Sequence, residues 1–179
     1  MKRTCQSLHA GLQIPVRRCK STTLSTQSSR SSWSLMMGFS TTLWEWYGQD
    51  EYKRVLAVFE AIPAIEFLAL TSDLQQRTIP DCPACETWSE MILPLSEVLS
   101  INSLPAEIKT RLQDIWALCN SLTEAAFHCH DPLIFDHDEW RPIRTVAAEL
   151  LDLMGSLEIN PFLDDLLLDC RNVARGVTR

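Results

Sequence analysis

From Pro105 onward, Ile108, Leu112, Ile115, Cys119, Leu122 and Ala126 are apolar at steps of four, three, four, three and four. That rhythm keeps all six on one face of an α-helix and predicts one helix running from Pro105 to Ala126. Pro105 suits the start, where a missing N–H costs nothing, and Glu107 in the first turn meets the positive end of the helix dipole. A second helix is expected after Pro142, with Ile143, Val146, Leu150 and Leu153 inward and Gly155 as its C-terminal cap. A third should open at Asn160-Pro161, a capping residue followed by proline at the first helical position. It carries Phe162, Leu163, Leu166 and Leu167 and stops at Gly176.

Prolines punctuate the earlier part of the chain. One helix is expected from Asp50 to Ala61, with Val55, Val58 and Phe59 on one side. Pro63 then opens another, carrying Ile65, Leu68 and Leu74 and ending before Pro80. Thr87 to Leu99 reads as helix too, kinked or split at Pro94 because proline lacks the donor and clashes with the preceding turn. No segment alternates apolar and polar as a half-buried strand would. The pattern predicts an all-α protein, a single helical bundle of five to seven helices.

Charge divides the chain in two. No Asp or Glu precedes Glu45, while Lys2, Arg3, Arg17, Arg18, Lys20 and Arg30 give the first 44 residues a charge of +6. The remainder holds all 23 acids and ten bases, a net −13. Ser21 to Ser34 contains ten Ser or Thr in fourteen positions, too little apolar surface to offset the entropy of ordering it. Residues 1–43 are therefore expected to be a disordered basic Ser/Thr-rich leader, and 44–179 an acidic all-helical domain. The leader fits a flexible tail, an organellar transit peptide, or sequence upstream of a true start at Met36 or Met37. No apolar core of about seven or more residues follows the basic start, so no secretory signal is expected.

This balance narrows the classes of partner. A pI near 5.1 argues against a nucleic-acid groove or an anionic membrane surface, and favours a basic protein. No apolar run reaches the roughly 18 residues a spanning helix needs. Seven scattered cysteines without an export signal point to thiols in a reducing compartment, hence a cytoplasmic protein, or a mitochondrial or other organellar one if the leader is a transit peptide.

Two clusters carry candidate chemistry. Cys82-Pro83-Ala84-Cys85 is a CxxC, which at a helix N-terminus can stabilise a thiolate. A helical redox site of the CxxCxxxH type would need a proton carrier where this chain has Ser89. The second cluster, His128-Cys129-His130-Asp131, is followed by Asp136-His137-Asp138-Glu139. Imidazole and thiolate are zinc ligands, and Cys82, Cys85, His128 and His130 would make a long-range Cys₂His₂ set. The sequence contains no GxSxG, phosphate loop or GxGxxG, and no catalytic residue is singled out.

The leading expectation is a non-enzymatic interaction protein without a cofactor, binding a basic protein partner. Its specific form is an immunity or inhibitor protein that neutralises a toxin. Trp44, Trp46 and Tyr47, with Asp136, Asp138, Glu139 and Trp140, are the candidate contacts: aromatic anchors beside carboxylates suit capture of a basic surface. Two alternatives stand beside it. One is a zinc- or thiol-dependent helical protein built on the CPAC and HCH clusters. The other is an organellar accessory or assembly subunit.

Overall fold

A computed structural model describes residues 38–79 and 81–177. The expectations for the basic leader up to Met37 lie outside the described residues. Those that are described contain nine α-helical segments and no strand, and the expected all-α bundle is what forms. Seven of the segments are longer than a single turn.

The bundle is organised around α2 (Tyr52–Ala69), whose Val55, Val58, Phe59, Ile62, Ile65 and Leu68 are all buried. It packs against α1 (Phe39–Gly48), α5 (Leu93–Leu99), α7 (Trp140–Met154) and α9 (Leu163–Ala174). Pro63 does not end it, as the proline spacing suggests it should. Its ring is on the exposed side while Ala61, Ile62, Ala64 and Ile65 around it are buried. The local cost of a helical proline, about 3 kcal/mol, is set against several fully buried side chains, each contributing about 1.5–3 kcal/mol. Leu74 belongs to a separate short helix, α3 (Ser72–Thr78).

Pro94 is absorbed differently. The chain turns helical at α4 (Pro83–Glu86), widens into a π-turn over Thr87–Ile92, and resumes as α5 with Pro94 near its beginning. A π-turn supplies the slack that a proline ring needs against the preceding carbonyls.

The long helix, α6 (Ala106–Ser121), buries Ile108, Leu112, Ile115 and Cys119 as the spacing predicts. It ends five residues before Ala126. The Thr123 backbone N–H, which helix continuation would turn toward Cys119, donates instead to Glu139 Oε2 at 2.8 Å. In α7 the buried stripe is Trp140, Ile143, Ala147, Leu150 and Met154, rather than one through Val146 and Leu153. Gly155 caps α7 in the left-handed region, φ 64°, as expected. Asn160 does not cap a helix. A single turn, α8 (Ser156–Ile159), and a 3₁₀ turn precede α9, and the Asn160 amide donates to Glu66. The folded unit also starts earlier than the charge boundary: Phe39 and Leu43 of α1 are in the core.

Candidate functional site

Two of the four aromatic residues proposed as contacts are core residues. Trp140 is fully buried, its indole N–H donating to the Ala126 carbonyl at 2.9 Å and its ring packed against Phe135. Trp46 is buried edge-on against Phe39. Neither can anchor a partner. Large aromatic side chains at helical spacing usually fill a core, and a fully buried indole takes a hydrogen-bond acceptor with it.

The carboxylates beside Trp140 are also engaged internally. Glu139 accepts both the Thr123 N–H and the Thr123 hydroxyl, each at 2.8 Å. Those bonds hold its carboxyl below the usual range. Glu139 thus brackets the end of α6 to the start of α7 and is no free charge. Asp138 pairs with Arg141 at 2.8 Å, and Asp136 accepts from the Gln76 amide at 3.1 Å. Both remain exposed.

Trp44 and Tyr47 are the contacts that the fold keeps near the surface. Trp44 is 44% exposed and meets Phe162, itself 50% exposed, edge to face with ring centroids 5.8 Å apart. Tyr47 packs on Trp44 and donates its hydroxyl to Asp169 of α9. Exposed Glu45, Glu158, Asp164 and Asp165 lie one to four residues along the chain from this aromatic pair, and Glu158 also accepts from the Ser40 hydroxyl at 3.1 Å. Phe162 had no signal as a surface residue, because in the sequence it opens the apolar run that continues into α9. The 3₁₀ turn over Asn160–Phe162 rotates it out.

The second convergence is of sulfur. Cys82 precedes α4, with its N–H donating to the Glu86 carboxylate at 3.0 Å in the manner of a capping box. This sets the first turn that carries Cys85. Cys129 arrives from the loop between α6 and α7, and its Sγ is 3.2 Å from Cys85 Sγ. The three Sγ atoms all lie within 4.8 Å of one another, the single group of three possible ligands that converges this way among the described residues. Burial pushes the Cys82 thiol up, but hydrogen bonds with Cys85 and Cys129 outweigh it and bring the thiol below its ordinary value. Cys119 and Cys170 contrast with it: burial pushes them up to about 12 and about 11.

His128 and His130 are not in that group, so the four residues of the expected Cys₂His₂ set do not all converge. The two rings stack 6.0 Å apart, and the His130 N–H donates to His128 Nδ1 at 3.3 Å. They stay on the loop as a pair, with Cys129 between them turned to the other thiols. Cys129 was visible as part of the cluster. Its convergence with Cys82 and Cys85 was missed because sequence spacing offers no reason to prefer it over its neighbours.

One buried polar bracket had no sequence signal. Gln75 is fully buried, donating to the Phe67 carbonyl and accepting from Arg144, which also donates to the Phe135 carbonyl. An open groove of about 450 Å³ runs past Glu60, Leu93, Pro94 and Arg171, where Glu60 and Arg171 are already paired at 2.9 Å. No protein-family model, curated protein or solved structure matches the chain.

Proposed function

We propose that the domain is a non-enzymatic binding protein that seats a basic protein segment on the surface around Trp44. The observation that carries this reading is the half-exposed Trp44–Phe162 pair. Tryptophan is enriched at the centres of interfaces because a large, rigid ring buries much area at little entropic cost. An apolar side chain of the partner packs there, and the carboxylates of Glu45, Glu158, Asp164 and Asp165 meet its positive charges.

The charge balance supports the same partner. Arg54, Arg111, Arg141 and Arg171 are each in ion pairs with acids of the domain. The surplus of acids therefore remains on the surface, where it steers a basic protein inward and raises the association rate. An immunity or inhibitor protein that covers a toxin's anion-binding site is the specific form this takes, its carboxylates standing where the toxin's substrate would place phosphates.

Replacing both rings tests the reading. The Trp44→Ser, Phe162→Ser double variant keeps the helical circular dichroism of the parent, because both rings are half outside the core. It should lose the basic protein that the parent carries when isolated from its own source. A double variant that retains the same partner at the same salt concentration would place the contact elsewhere.

A further inference from the structure

Cys82 and Cys85 enter a helix at its first turn, and Cys129 sits 44 residues beyond Cys85 on a different element. Three thiols from two segments meeting at the surface is not what packing alone requires. The other described cysteines, Cys119 and Cys170, are separate and buried in the core. The Cys85 and Cys129 sulfurs are 3.2 Å apart, against about 2.05 Å in a disulfide.

The separations suit a metal. With Zn–S bonds of about 2.3 Å, two sulfurs at corners of a tetrahedron lie about 3.8 Å apart. The observed range, from 3.2 Å to within 4.8 Å, brackets that edge length. Sub-ångström movements of exposed Cys85 and half-buried Cys82 and Cys129 would bring all three to it. Soft thiolates select zinc over the hard cations magnesium and calcium.

We infer that Cys82, Cys85 and Cys129 bind one zinc ion as thiolates, with solvent at the fourth corner. Three S–H bonds break, their protons leave to water, and three S–Zn bonds form with no change of oxidation state. The ion ties the start of α4 to the loop between α6 and α7. That loop is otherwise held by the Glu139 bracket to Thr123 and by the Trp140 bond to Ala126. The site is independent of the Trp44 surface and survives the failure of that reading.

The test is zinc binding by the full chain, purified under reducing conditions, with cobalt as a spectroscopic probe. One equivalent of zinc should bind, and cobalt should give a thiolate charge-transfer band that zinc abolishes. Loss of an outer-shell partner alone weakens metal sites about 10–100-fold, so Cys129→Ser should weaken zinc binding at least tenfold. Alkylation mapped by peptide mass keeps the test decisive where that variant fails to fold. In the parent, zinc should protect Cys82, Cys85 and Cys129 together, and a chelator should expose all three together. Absence of the cobalt band, alkylation indifferent to zinc, or a Cys85–Cys129 disulfide in the native protein would overturn the assignment.

Discussion

Trp44 and Trp140 have the same side chain in opposite surroundings, and single substitutions separate them. Trp140→Ala empties a fully buried site beside Phe135 and orphans the Ala126 carbonyl, so it should cost about 3–5 kcal/mol in urea denaturation. Trp44→Ala removes a half-exposed ring and should cost only about 1 kcal/mol. Similar losses for both would mean that Trp44 supports the core and is no surface anchor. Glu139 offers a pH signature. Its carboxyl titrates below the ordinary range because Thr123 donates to it, so the folded state binds that proton less readily than the unfolded chain. The stability from this bracket is fully present above the unfolded pKa of about 4.3 and is lost as pH falls through the lower folded value. Glu139→Gln cannot titrate, and its unfolding midpoint should fall less steeply on acidification below about pH 4 than that of the parent. Equal slopes would show that the bracket does not hold in solution.

At the scale of elements, local rules were overridden where burial on two or more sides outweighed them. Pro63 lies on the exposed side of α2, a helix buried from Val55 to Leu68. Pro63→Ala restores the missing N–H and a good helix former, and should stabilise the protein by roughly 1–3 kcal/mol in thermal or urea unfolding. A lower midpoint would mean that the packing of α2 needs the bend proline imposes. Thr87 tests the π-turn: its hydroxyl is buried without a hydrogen-bond partner. Thr87→Val should therefore raise stability by about 1 kcal/mol in the same assay. The existence of helices was legible wherever apolar residues recurred at steps of three and four, as in Ile108, Leu112, Ile115 and Cys119. Their ends were not. The end of α6 is set by a carboxylate sixteen residues away, and the orientation of α7 is set by Trp140, which the pattern left outside the helix.

For the molecule as a whole, the charge division separated an acid-free N-terminal stretch from an acidic bundle, and helical apolar spacing without strand alternation was enough for the fold class. The boundary was placed late because charge marks where acids begin, whereas the core begins with Phe39 and Leu43, which carry none. The candidate sites were legible as residue types and not as arrangements. Trp44, Cys82 and Cys85 stood out, but Phe162 and Cys129 joined them only through turns with no sequence signature. The described helices include none long and apolar enough to cross a membrane. The fold leaves Trp44 and Phe162 half-exposed against each other on an acidic domain, and the central claim is that this pair seats a basic segment. The most direct measurement is the association rate of a dye-labelled, lysine-rich amphipathic helical peptide, followed by the anisotropy of the label from low salt to about 0.15 M, where the Debye length falls to about 8 Å. The account predicts a rate that drops steeply with salt, and binding that disappears in the Trp44→Ser, Phe162→Ser variant. A rate indifferent to salt, or the same binding without the two rings, would contradict it.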